Sequence, residues 1–160
     1  MPGDYETDTV TRIETNLDDC PAEHLGAAME KLLAAGALDV WFTPIQMKKH
    51  RPGTLLSVLC APEAADRLAD VIFAETTAFG LRRENIERFK LARRFETVRT
   101  EFGEVIVKLG LKGAAIVQVA PEFESCRVVA ERARVPLKRV FEAASRALPA
   151  SGPPGNTTIP

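Results

Sequence analysis

Polar and apolar residues alternate along Val10-Thr11-Arg12-Ile13-Glu14-Thr15-Asn16, the two-residue period of a strand. The period then lengthens. Pro21 at a first helical position, with Glu23 close behind, opens a helix carrying Leu25, Met29, Leu32 and Leu33, and Gly36 closes it. Asp39–Gln46 and Thr54–Cys60 read as a second and a third strand. Pro62 opens a second helix with an apolar stripe of Leu68, Val71 and Ile72, for which Gly80 serves as C-terminal cap. Leu81–Phe89 is the fourth strand. The predicted order is β-α-β-β-α-β, so the expected fold class is α+β with a ferredoxin-like, split βαβ core over residues 10–90.

After residue 90 the pattern changes. Arg94–Thr100 and Glu104–Leu111 read as a hairpin turning at Glu101-Phe102-Gly103, with Val105, Val107, Leu109 and Leu111 on one face of its second strand. A lone hairpin is marginal in water, so that face is expected to pack on the main sheet or on another subunit. A strand at Ala115–Ala120 and two short helices, Glu124–Arg134 and Leu137–Leu148, complete an appendage over residues 91–148. The helices carry both charge signs on their polar faces and read as packing elements. Residues 1–9 are expected to form a flexible N-terminal segment and 149–160 a flexible tail.

In a βαββαβ chain each element reverses the one before it, and right-handed crossovers favour one layout. Three polar motifs then meet at one end of the sheet. They are Thr15-Asn16-Leu17-Asp18-Asp19, Met47-Lys48-Lys49-His50-Arg51-Pro52-Gly53 and Glu75-Thr76-Thr77-Ala78-Phe79-Gly80-Leu81-Arg82-Arg83. Asp18 and Asp19 would face Lys48, Lys49, Arg51, Arg82 and Arg83 across a glycine-containing rim, an arrangement suited to a metal–polyphosphate.

Composition bounds the alternatives. The 160 residues suit one domain with an appendage, and a hydrophobic content of 46% is ordinary for a globular protein. No stretch is apolar enough to span a bilayer and the N-terminus lacks a signal-peptide core, so no membrane partner is expected. Three widely spaced cysteines, Cys20, Cys60 and Cys126, fit a reducing, cytoplasmic setting rather than a disulfide framework or a zinc knuckle. The net charge of −1 hides an asymmetry: residues 1–80 hold 6 Lys+Arg against 13 Asp+Glu, residues 81–160 hold 15 against 9. That split marks an anion-binding half, a pairing of opposite faces between subunits, or dispersed surface charge.

Each motif has a plain reading beside the functional one. Asp18 and Asp19 precede a helix, where a carboxylate caps free N–H groups; a second carboxylate there favours Mg²⁺ or Mn²⁺, with substrate phosphates completing the shell. Lys48, Lys49 and Arg51 at a hairpin tip are a solvated turn unless they converge with Arg82 and Arg83. Thr76 and Thr77 add hydroxyls, and Asn16 can donate to a phosphate or hydroxyl. His50 is a weak candidate for proton transfer, and no catalytic group can be named.

These residues carry a family resemblance. Glu14-Thr15-Asn16-Leu17-Asp18-Asp19, Met29-Glu30-Lys31-Leu32-Leu33, Gly36-Ala37-Leu38-Asp39-Val40, Pro44-Ile45-Gln46-Met47-Lys48-Lys49, Arg51-Pro52-Gly53 and Glu75-Thr76-Thr77 resemble the nickel insertion proteins of nickel-pincer nucleotide biosynthesis, the LarC family. Pro121-Glu122-Phe123-Glu124 and Val135-Pro136-Leu137 are similar to that family's C-terminal end, so the likeness covers roughly residues 10–148. It implies a CTP-dependent cyclometallase, a lyase that inserts Ni²⁺ into pyridinium-3,5-bisthiocarboxylic acid mononucleotide while CTP is cleaved to CMP and pyrophosphate with Mg²⁺ or Mn²⁺. It implies that this chain is the metal–CTP-binding C-terminal domain, with the N-terminal nickel-handling region as partner. The triphosphate then belongs near Lys48, Lys49, Arg51, Arg82 and Arg83, and the divalent ion near Asp18 and Asp19. Asn16, Thr76 and Thr77 orient the nucleotide or the substrate phosphate. His50 is larger than the residue the family has in that turn.

Two other classes compete. A nucleic-acid-binding ferredoxin-like domain stacks bases on aromatics of its central strands, and Val10–Asn16 and Thr54–Cys60 contain no Phe, Tyr or Trp, so no nucleic acid is expected. A non-catalytic regulatory or assembly module that binds a nucleotide is the alternative, and the exposed hairpin face suits a homo-oligomer.

Overall fold

A computed structural model describes residues 4–148. The expected flexible tail at 149–160, and residues 1–3 of the expected flexible N-terminal segment, lie outside the described residues. The elements are β1 (Glu6–Leu17), α1 (Ala22–Ala34), β2 (Asp39–Met47), β3 (Arg51–Cys60), α2 (Ala65–Glu75) and β4 (Arg82–Lys90), followed by β5 (Ala92–Thr100), β6 (Gly103–Lys112), β7 (Ala115–Pro121), α3 (Phe123–Ala133) and α4 (Leu137–Arg146). They fall into two units, Thr7–Arg88 and the residues outside that span. The class is α+β. No helix among the described residues is long and apolar enough to cross a membrane.

In the first unit the sheet order is β2-β3-β1-β4, the ferredoxin-like order, with β3 antiparallel to both β1 and β2. Alternation along β1 sends Thr11, Ile13, Thr15 and Leu17 inward, where all four are buried. Ile13, Leu56 and Val58 of the sheet meet Leu32 of α1 and Leu68 and Ile72 of α2 in one core. Each such side chain removed from water contributes about 1.5–3 kcal/mol.

Among the boundaries that differ from the sequence expectation, three have a specific structural reason. β1 begins at Glu6 rather than Val10, and Arg88 of β4 donates to both carboxylate oxygens of Asp8, at 2.7 and 3.0 Å. β3 begins at Arg51, so Pro52 lies within a strand; it sits beyond the last β1 pair, Leu17↔Thr54, where β2 is the only partner. α2 stops at Glu75, and Gly80 is not its cap: Thr76 takes an extended conformation and its hydroxyl donates to the Ile72 carbonyl at 2.7 Å.

The second unit is a three-stranded antiparallel sheet, β5-β6-β7, with α3 and α4. Its hairpin face is covered by its own helices rather than by the main sheet or another subunit. Val105, Val107 and Leu109 are fully buried against Cys126, Val129, Ala130, Val140 and Ala144. The Ser125 hydroxyl accepts the Ile106 amide at 2.8 Å and the Glu122 amide donates to the Ile106 carbonyl at 2.8 Å, pinning the start of α3 to β6.

Candidate functional site

Side-chain hydrogen bonds join the three polar motifs, two of them through the adjacent carboxylates. Arg51, the first residue of β3, donates to Asp18 Oδ2 at 3.3 Å. Thr77, after α2, donates to Asp19 Oδ1 at 2.5 Å. Asp18 and Asp19 therefore link the end of β1 to both of the other tips, and the expected meeting at one end of the sheet is observed. Thr15 adds a third tie, its buried hydroxyl donating to the Gly80 carbonyl at 2.8 Å. Gly53 lets β3 pass close to β1: a Cβ there would stand 2.8 Å from the Leu17 carbonyl oxygen.

Neither carboxylate caps α1. Pro21 precedes the first helical residue with no side-chain cap, and its carbonyl accepts the His24 and Leu25 amides. The capping explanation for Asp18 and Asp19 thus falls away, and both stay at the rim, Asp18 paired with the Arg51 guanidinium and Asp19 with the Thr77 hydroxyl.

The turn between β2 and β3 is a single 3-10 turn, Lys48–His50, in which Lys49 and His50 have φ of 62° and 57°. Left-handed backbone costs roughly 1–2 kcal/mol per residue bearing a side chain. The turn aims a dense set of cations outward all the same. Lys48 and Lys49 are the Lys and Arg side chains of Thr7–Arg88 without a polar partner among the described residues.

The other expected residues go elsewhere. Arg82 lies on the sheet face opposite the helices, donating to Glu14 Oε2 at 3.2 Å and to Asn16 Oδ1 at 3.0 Å. Arg83 alternates to the other side and reaches Asp66 at 2.5 Å, in the first turn of α2 and so at the end of that helix away from Thr77. Five converging cations are therefore three: Lys48, Lys49 and Arg51. Thr76 is engaged at the end of α2, bonding Ile72 and accepting the Ala78 amide at 3.2 Å. Residues not singled out from sequence also matter. Glu14 is a half-buried hub that accepts from Ser57 and Arg82 and pairs with Arg12 at 3.6 Å. A polar residue at an inward position of an alternating strand, Thr15, was the available signal for the third tie.

Among the described residues no group of three or more His, Cys, Asp and Glu side chains is arranged to hold a metal ion. Two adjacent carboxylates fit a hard divalent ion whose remaining oxygen ligands come from a bound phosphate or water. The buried thiols offer no nucleophile. Burial pushes Cys60 and Cys126 above the ordinary thiol range, with Glu63 and Glu122 adding to it.

The sequence profile of the nickel insertion protein family matches residues 2–141. The pyridinium-3,5-bisthiocarboxylic acid mononucleotide nickel insertion protein of Acetivibrio thermocellus is 43% identical over 141 residues, covering 88% of this chain and 34% of that protein. The protein of the same description from Thermotoga petrophila is 40% identical over 146 residues, covering 91% and 36%. The chain thus spans about a third of the length of these relatives. Among solved structures, LarC2, the C-terminal domain of a cyclometallase involved in the synthesis of the NPN cofactor of lactate racemase, superposes with a TM-score of 0.82 at 42% identity, over 89% of this chain and 98% of that one. Protein MK0293 of Methanopyrus kandleri gives 0.65 at 30% identity, over 88% and 89%.

Proposed function

The chain belongs to the nickel insertion protein family, and from that premise we propose that it is the nucleotide-gripping part of a CTP-dependent cyclometallase. In this reading Ni²⁺ is a substrate, inserted into pyridinium-3,5-bisthiocarboxylic acid mononucleotide to give the nickel-pincer cofactor, while CTP is cleaved to CMP and pyrophosphate. Nickel in such a product is held by sulfur and carbon of the organic ligand, so a domain without a soft-ligand cage suits the task. An N-terminal region or a separate subunit handles nickel, in the cytoplasm.

The observation that carries the reading is the rim itself. Asp18–Arg51 and Asp19–Thr77 bring three distant segments together, and the neighbouring Lys48 and Lys49 have no polar partner among the described residues. Lys48, Lys49 and Arg51 bind the triphosphate and stabilise charge that grows on the leaving pyrophosphate, an electrostatic role. Asp18 and Asp19 hold Mg²⁺ or Mn²⁺, which supplies neutralisation of the phosphates when bound. Thr77 orients Asp19. Asn16 and Arg82 form a supporting pair beside the rim, Thr76 fixes the end of α2, and Arg83 takes no part.

Calorimetric titration with CTP, ATP and GTP, each with and without Mn²⁺, tests this. Metal-dependent binding that prefers CTP is expected, with at least tenfold loss in Lys48→Ala and in Asp18→Ala. Equal, metal-independent binding of all three would refute it. Release of pyrophosphate from CTP, measured with the nickel-handling region present, separates the enzyme from a regulatory or assembly module that only binds.

A further inference from the structure

Phe79 has a relative exposure of 102%, far above any other large apolar side chain among the described residues. Its backbone neighbours, by contrast, are held. The Ala78 amide donates to Thr76 Oγ1 and the Gly80 carbonyl accepts Thr15 Oγ1. Two residues before it, Thr77 is bonded to Asp19. A ring projected into water from a segment fixed on both sides is not a side chain on a slack loop. The space next to it is open as well: nothing lies within 4 Å of where a Cβ on Gly80 would stand.

The chemistry of the rim leaves one part of a nucleotide unaccounted for. Lys48, Lys49, Arg51, Asp18 and Asp19 are suited to phosphates and a divalent ion, and the one group among them with a planar face to stack on, the Arg51 guanidinium, is engaged with Asp18. Within residues 15–19, 47–53 and 75–83, Phe79 is the sole Phe, Tyr or Trp. We propose that Phe79 is a stacking platform for the planar heteroaromatic ring of a nucleotide seated at this rim. The inference rests on the proposed function and extends it. A phenyl face accepts any base, and a pyridinium ring adds attraction between its positive charge and the ring's negative face. The ring comes from one of two sources, the base of CTP or the pyridinium of a mononucleotide.

The test compares the parent chain with Phe79→Ala and Phe79→Trp, titrated with Mn²⁺ and one of three probes: CTP, nicotinic acid mononucleotide, or inorganic triphosphate. Phe79→Ala is expected to weaken a ring-bearing probe about tenfold, to leave triphosphate unchanged, and to be rescued by Phe79→Trp. Loss on CTP identifies the ring as the base; loss on the pyridinium mononucleotide identifies it as the other substrate. If CTP binds the parent and both variants equally, and the mononucleotide does too, the stacking role is overturned while the proposed function stands. Equal weakening of triphosphate by Phe79→Ala overturns it as well, because the effect is then on the loop. A parent chain that binds none of the three overturns both readings. Sedimentation in which Phe79→Ala abolishes self-association without changing ligand affinity places the ring between copies of the chain and also overturns stacking.

Discussion

A methyl group at position 53 should loosen the first unit. A Cβ on Gly53 would stand 2.7 Å from Met47 Sδ and 2.8 Å from the Leu17 carbonyl oxygen. The methionine can swing aside. The carbonyl cannot, because Leu17 is the last paired residue of β1, opposite Thr54, and its retreat opens the ladder. Overpacking of this kind costs about 1–3 kcal/mol, and the reduced freedom of an alanine-bearing unfolded chain offsets roughly 0.4–1 kcal/mol. The net loss for Gly53→Ala is therefore about 1–2 kcal/mol. For a unit the size of Thr7–Arg88 that lowers the melting midpoint by roughly 5–15 °C. Trp41, the chain's single tryptophan, lies in β2 of this unit, so its fluorescence follows the relevant transition. Gly26 provides the control. It is exposed within α1 with nothing within 4 Å of a Cβ, and Gly26→Ala should stabilise by about 0.5–1 kcal/mol. A Gly53→Ala protein that melts at the parent's temperature, or a Gly26→Ala protein that melts below it, would show the close approach to be misread.

Further outcomes follow from the strained turn and from the thiols. Lys49→Gly relieves a φ of 62° that costs roughly 1–2 kcal/mol, of which the freer unfolded chain takes back about 0.4–1 kcal/mol. Stability to urea should therefore rise by roughly 0.5–1 kcal/mol while Mn²⁺–CTP binding weakens; Lys49→Ala should weaken binding equally without the gain, which isolates the backbone contribution. In the folded protein at pH 8 Ellman's reagent should find one accessible thiol, Cys20, and all three in denaturant, since Cys60 and Cys126 are buried. Their folded values are raised by burial above the ordinary thiol value of 9.0, so the unfolded chain ionises first. The stability due to them is fully present below about pH 9 and is lost as pH climbs through the folded values. Urea midpoints of the parent and of Cys60→Ala/Cys126→Ala should converge between pH 8 and 10.5, and parallel curves would contradict the assignment.

Periodicity was enough to read the βαββαβ order, because Val10–Asn16 alternates and Leu25, Met29 and Leu32 share one helical face. It was enough to bring Asp18, Asp19, Arg51 and Thr77 to one end, since direction follows from element order alone. It was not enough to say which way a side chain at the start of a strand points. Arg82 and Arg83 are consecutive and so must face opposite sides of the sheet, and a rim containing both was not attainable. Nor could the sequence show that Thr76 closes α2, because Ile72 becomes its acceptor only once the helix has formed. The elements of the second unit were legible, but what covers its hairpin was hidden for a related reason. Val105, Val107 and Leu109 announced a buried face, but which surface covers it depends on α3 and α4 folding back over β6, a long-range choice that local pattern does not encode.

The pairing of Asp18 with Arg51 has a consequence for which visitors the mouth admits. A bare anion that recruits the guanidinium must pull it from its carboxylate and strand a negative charge beside another one. A bare cation that recruits the carboxylate strands a positive charge among lysines. A visitor that arrives with both signs already joined replaces the internal bond with two complementary ones and leaves nothing orphaned. Under the proposed function, a preference for the chelate over its separate ions thus begins at one 3.3 Å contact, before size or shape is consulted.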